Sequence, residues 1–228
     1  MKTIILFFTA LALPLFSAEK SKLVTHLEAG KKQTIVTYGT SLTAAGAWVK
    51  QMTAALEKKF PQQATVINSG GSGKWSDWGV ANLQQRVIDK KPDTVFIEFS
   101  INDCVERFEG SVPIAKKNLE TMIAAILKAN PQCEIILMTM TPGNAHPAGH
   151  KSYRKDIEKH YEMYRSVAKE RKFILIDHYP NWKALQTNEP EQFKTFVPDS
   201  IHVTPEGCAK IITPKILTAL GLTGIKEE

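Results

Sequence analysis

The chain has 228 residues, 43% of them hydrophobic, with 29 Lys and Arg against 23 Asp and Glu. The excess of base is scattered: no run of five or more like charges exists and basic residues are not interleaved with aromatics, so no nucleic-acid partner is expected. Three cysteines with no Cys-x-x-Cys allow at most one intramolecular disulfide and exclude the usual signatures of thiol redox chemistry and of a zinc knuckle.

In chain order, Met1-Lys2 opens a short positive region, residues 3–16 are almost wholly apolar, and Ser17-Ala18 offers small residues for cleavage. The pattern predicts a signal peptide over residues 1–18 and a secreted or periplasmic protein, with an uncleaved N-terminal anchor as the alternative. No later segment approaches the ~18 uninterrupted apolar residues of a membrane span, so none is expected once the signal is removed. Loss of Lys2 leaves 28 basic against 23 acidic side chains, a net charge of +5. Residues 19–228 are expected to form one domain, long enough to hide about 70% of its unfolded surface.

Short apolar runs at 33–38, 64–68, 93–99, 133–140 and 172–176 read as fully buried strands. Cys133, at the start of the fourth, reads as a small buried hydrophobe. Between the strands lie amphipathic helices. Trp48, Val49, Met52, Leu56 and Phe60 form one apolar face, closed by Pro61. Ala115, Leu119, Met122, Ile123, Ile126 and Leu127 form a second, capped by Ser111 and stopped by Asn130-Pro131, and Ile157, His160, Tyr161, Tyr164, Val167 and Ala168 form a third. Basic pairs such as Lys58-Lys59 and Arg171-Lys172 fall at helix ends, where cations complement the dipole. Alternating strands and helices predict an α/β fold: a three-layer α/β/α sandwich around a flavodoxin-like, doubly wound, five-stranded parallel sheet.

Ligands of such folds sit beyond the carboxyl ends of the strands. The segments there are Gly39-Thr40-Ser41-Leu42, Asn68-Ser69-Gly70-Gly71-Ser72-Gly73, Ser100-Ile101-Asn102-Asp103 and, after the last strand and a longer excursion, Asp199-Ser200-Ile201-His202. Small polar residues end many strands, so each alone carries little; together their chemistry is complementary. A serine hydroxyl such as Ser41 needs a base to take its proton. Imidazole is suited to that near neutral pH, and Asp199, three residues before His202, is spaced to fix its tautomer. The backbone N–H groups of Ser41 and Gly70 and the side-chain amide of Asn102 are available as oxyanion donors.

These four segments resemble, in order, the four blocks of the SGNH hydrolases, also called GDSL-type esterases and lipases, over about residues 34–220. The resemblance implies a three-layer fold, no metal and no cofactor. It implies hydrolysis of carboxylic esters through an acyl-enzyme, with an oxyanion hole of Ser41, Gly70 and Asn102. Thr40 stands where the family usually has Asp, and Ser100 where it usually has Gly; altered loop bonding is expected at both.

A phosphate loop is excluded, because Gly73-Lys74 would need Gly at position 68 and Ser or Thr at 75, where the chain has Asn68 and Trp75. His146 and His150 are four apart, but Pro147 and Gly149 between them argue against a helix presenting two metal ligands. His146 is a candidate for the substrate entrance, and Trp75 and Trp78 either stack on a sugar or cover the sheet. The segment 141–152, rich in Pro and Gly, is expected to rim the pocket. No apolar stripe looks like an interfacial lid. Acetyl or another small acyl group on carbohydrate or a small alcohol is the expected substrate; a lipid acylhydrolase or thioesterase on the same site, or a non-catalytic sugar-binding module, are the alternatives.

Overall fold

The five apolar runs are strands of one sheet in a computed structural model that describes residues 20–143 and 146–222; residues 1–18, read as a signal peptide, lie outside the described residues. The strands are β1 (Gln33–Gly39), β2 (Ala64–Asn68), β3 (Thr94–Glu98), β4 (Glu134–Thr139) and β5 (Ile174–Asp177). All neighbours are parallel and the order is β2-β1-β3-β4-β5, the doubly wound arrangement expected.

The two-residue period of a strand sends alternate side chains to opposite faces, and here both faces are covered. Ile35, Phe96, Ile136, Met138 and Ile176 belong to a core shared with the helices Lys22–Glu28, Ala47–Lys59 and Thr213–Ala219. Val36, Val95, Ile97, Ile135 and Leu137 belong to a second core, packed by the helices Ser76–Arg86, Val112–Ala129 and Ile157–Arg171. The central strands β1, β3 and β4 are nearly all buried, whereas β2 and β5 are mostly half-buried. The reading of every run as a fully buried strand therefore holds only for the centre. An edge strand has a neighbour on one side alone, and the helical layers taper there.

The helix faces follow the sequence spacing. Trp48, Val49, Met52 and Leu56 are buried, as are Ala115, Leu119, Met122, Ile123 and Ile126 on the longest helix. That helix starts at Val112 with Pro in its first turn, where no N–H is missed, and stops before Asn130-Pro131. Cys104, Cys133 and Cys208 are all buried free thiols, so no disulfide links Cys104 to Cys208. No helix among the described residues is long and apolar enough to cross a membrane.

The chain leaves β1 for β2 on one side and then crosses to β3 on the other. The loops after β1 and β3 therefore diverge at their carboxyl ends and open a crevice between them.

Candidate active site

Ser41 begins a four-residue helix, Ser41–Ala44, directly after β1, with Thr40 as its cap: the Thr40 hydroxyl accepts the Leu42 N–H at 3.1 Å. Ser41 Oγ lies 2.8 Å from His202 Nε2, across 161 residues of sequence. His202 Nδ1 lies 2.7 Å from Asp199 Oδ2. The other carboxylate oxygen, Oδ1, accepts the N–H groups of Ile201 at 3.0 Å and His202 at 2.7 Å. Ser200, between Asp199 and Ile201, has φ 66°, a left-handed conformation uncommon for a non-glycine residue, and its backbone folds the carboxylate back onto its own loop. Thr141 Oγ1 donates to the Ile201 carbonyl at 3.0 Å and so ties this loop to the end of β4.

Burial alone would raise the Asp199 carboxyl, but the bonds from the His202 ring and from the two N–H groups outweigh it and hold the group below its ordinary value. An ionised Asp199 accepts the Nδ1 proton and leaves Nε2 free to take the proton of Ser41.

The oxyanion side differs from expectation in one residue. Asn102, in the helix Ser100–Asp103, donates one amide N–H to the Lys74 carbonyl at 2.8 Å, which fixes the side chain and leaves its second N–H for a ligand. Gly70 does not line the cavity that holds Ser41 and Asn102. Its N–H is spent on Asn68 Oδ1 at 3.1 Å, and a Cβ there would stand 2.5 Å from the Ala44 nitrogen. It is a glycine because the Ser41–Ala44 helix packs on its backbone. Gly73 lines the cavity instead. It sits in the turn closed by Lys74 N–H to Gly71 O at 3.1 Å, with φ 68°, a conformation that favours glycine. The signal for it was present: it is the glycine nearest the start of the Ser76–Arg86 helix, where a turn is needed.

The three proposed substrate contacts also fall outside this cavity. Trp78 covers the sheet, with its ring 5.8 Å from Tyr38 and 6.5 Å from Phe99. Trp75 stacks on Phe108 at 5.3 Å with rings 3° from parallel. His146 stacks on His150 at 3.8 Å, and it is His150 that reaches the cavity. No cluster of three His, Cys, Asp or Glu side chains suited to a metal occurs among the described residues. The segment 141–152 does rim the opening, through Gly149, His150, Lys151 and Ser152.

Under the loop that carries Ser41 lies a carboxyl that sequence reasoning missed. Glu98, at the end of β3, is 2% exposed and its Oε1 accepts from Thr40 N, Thr40 Oγ1 and Thr43 Oγ1 at 2.8–2.9 Å. Thr40, where the family usually has Asp, thus bonds a glutamate supplied by another strand. Asp103 braces the Asn102 loop by accepting the Ser76 N–H at 2.8 Å. Ser100, the second departure, is buried at the first turn of its helix and avoids left-handed backbone, which is why glycine is not needed there.

Burial pushes Glu98 up to about 7 against the pull of its threonine donors, and burial likewise pushes Asp103 up to about 7. Both then hold a proton in the folded state that the unfolded chain releases at about pH 4. The stability these two carboxyls contribute is therefore fully present below about pH 4 and is lost as pH rises from about 4.5 through 7. Glu98→Gln keeps an acceptor for the threonines and removes the titration. It is expected to flatten the fall in stability between about pH 5 and 8 by on the order of 2 kcal/mol. Urea midpoints at the two pH values check this, and an unchanged slope would contradict it.

The family and its relatives agree with this architecture. The sequence model of the GDSL-like Lipase/Acylhydrolase family matches residues 36–210. An uncharacterized lipoprotein of Bacillus subtilis, YqeF, is 25% identical over 211 residues, covering 78% of this chain and 85% of the relative. An acetylxylan esterase from Geobacillus stearothermophilus superposes with TM-score 0.70 at 20% identity, covering 87% of this chain and 98% of that one. A lipase/acylhydrolase from Enterococcus faecalis superposes with TM-score 0.68 at 23% identity, covering 86% of this chain and all 100% of that one. A family match across most of the chain, on a fold these relatives share, makes this protein a carboxylic ester hydrolase of the GDSL-like lipase/acylhydrolase family.

Proposed function

We propose that the protein is an exported serine esterase, one hydrolase domain behind a cleaved signal peptide, that removes acetyl or similarly small acyl groups from carbohydrate or other small alcohols. Ser41 is the nucleophile, His202 the base and Asp199 the carboxylate that orients it. Ser41 Oγ attacks the ester carbonyl while its proton passes to His202 Nε2. The oxyanion is received by the N–H groups of Ser41 and Gly73 and the free amide N–H of Asn102. His202 then returns the proton to the leaving alcohol, and a water molecule repeats the sequence on the acyl-enzyme.

The observation that carries the small acyl group is a pocket of about 60 Å³ beside Ser41 and His202, walled by Leu42, Trp48, Met140, Val203 and Ile212. A pocket this small suits a short acyl group rather than a fatty chain. The larger cavity of about 730 Å³ that also reaches Ser41 and His202 is more polar and suits the alcohol. An acetylxylan esterase among the structural neighbours fits such a substrate, and a lipoprotein among the relatives fits export.

A p-nitrophenyl ester series tests the acyl assignment. Each methylene that does not fit costs about 1–3 kcal/mol, so butyrate is expected to be cleaved at least about tenfold less efficiently than acetate, and octanoate hardly at all. Equal or rising kcat/KM with chain length would overturn the small-acyl reading in favour of a lipid acylhydrolase.

A further inference from the structure

The cavity assigned to the alcohol carries positive charge that hydrolysis itself does not use. Arg107, Lys151 and Arg154 line it. Its acidic side chains are Asp199, committed to His202, and Glu106. With Asp199 ionised and His202 neutral, three cations stand against two carboxylates, a local excess of one.

These cations are placed by the fold. The Arg107 guanidinium lies 4.7 Å from the centre of the Phe108 ring, and Phe108 is itself stacked on Trp75, so the charge is held over a rigid aromatic pair. Arg154 is 6% exposed; its Nε donates to the Ile101 carbonyl at 2.6 Å, and its Nη1 donates to the Lys151 and Tyr153 carbonyls at 2.9 and 3.0 Å. That buried guanidinium therefore pins the backbone that presents Lys151 one residue before Ser152. Among the described residues no carboxylate pairs with Arg107 or Lys151.

We propose that the alcohol released by this enzyme bears an anionic group, a carboxylate, sulfate or phosphate, which Arg107 and Lys151 of this cavity receive. This rests on the esterase reading above and names its substrate class. Guanidinium is suited to planar, bidentate recognition of such oxyanions, and lysine adds a mobile point charge. A neutral sugar can accept hydrogen bonds from either but gains no charge–charge attraction.

The test compares paired acetyl esters of equal size on the purified protein: a neutral xylo-oligosaccharide, a uronate oligosaccharide, and sulfated and phosphorylated sugars. The readout is the ratio of kcat/KM for each anionic ester to that for the neutral one. At low salt one anionic class is expected to be favoured by about tenfold, equivalent to about 1.4 kcal/mol. The ratio should shrink towards one near 1 M salt, where charges are screened within about 3 Å. The double variant Arg107→Gln, Lys151→Gln should bring the low-salt ratio close to one, mainly through KM. A folding defect would scale both esters together and leave the ratio unmoved. A ratio of one in the native protein, or a preference that survives the double variant, overturns the proposal. If p-nitrophenyl acetate turnover persists in those cases, the anion assignment fails alone; if no ester is hydrolysed at all, the esterase reading fails with it.

Discussion

Ser41→Ala is expected to reduce p-nitrophenyl acetate hydrolysis by on the order of a million-fold, the scale seen when the nucleophile of a serine hydrolase is removed. The size of the effect follows from what the hydroxyl touches. Its side-chain bond is to His202 Nε2 at 2.8 Å, so its loss removes both the attacking oxygen and the proton the base would take. Water in its place would have to be bound, oriented and deprotonated without a covalent intermediate. The fold should barely register the change. Ser41 is the first residue of a short helix whose cap is the neighbouring Thr40, and substitutions away from packed or buried polar features usually shift stability by within about 0.5 kcal/mol. Turnover and thermal melting measured on the same preparation separate the two effects. A rate within tenfold of the native protein, with the melting curve unchanged, would remove Ser41 from the mechanism.

Asp199→Asn should lower kcat by about 10⁴-fold while leaving KM close to its native value. The two oxygens of Asp199 have different duties: Oδ1 accepts two backbone N–H groups, and Oδ2 accepts the imidazole Nδ1. An asparagine must keep its carbonyl oxygen on the backbone N–H groups or leave them unsatisfied. Its NH2 then faces Nδ1, which has to become an acceptor. The imidazole proton moves to Nε2 and points at the Ser41 hydroxyl, the wrong tautomer for a general base. Sterically the change is slight, so a loss confined to kcat reports the proton's position. A fall in kcat of less than tenfold would mean that Asp199 merely supports the loop.

Much of the fold was legible because its signals are local and repeated. Five apolar runs separated by amphipathic helices leave few alternatives to a parallel sheet with both faces covered, and the strand order β2-β1-β3-β4-β5 follows that expectation. Helix stops such as Asn130-Pro131 were equally plain. The edge strands were read as more buried than they are, since an apolar run does not announce whether it will have one neighbour or two.

The site was legible in part. Ser41, Asp199, His202 and Asn102 sit at one cavity, because each occurs at a strand end or in the last loop, where the topology collects them. Gly70, Trp75, Trp78 and His146 do not reach it, and Glu98 went unnoticed. Composition cannot say which of Gly70, Gly71 and Gly73 faces a ligand. That depends on the Ser41–Ala44 helix lying against Gly70 and on a turn with positive φ at Gly73. Nor can it say that Trp78 would find Tyr38 and Phe99, or that a glutamate on β3 would satisfy the threonines after β1.

By itself, the order of residues determined the element sequence, the sheet architecture and the set of chemical groups at the strand ends, since periodicity, caps and breakers act over a few residues. Only the tertiary structure decided which N–H groups remain unspent around Ser41, how small the pocket beside it is, and where Arg107, Lys151 and Arg154 gather. Those properties are set by contacts between segments tens to hundreds of residues apart, and packing at that range leaves no local pattern.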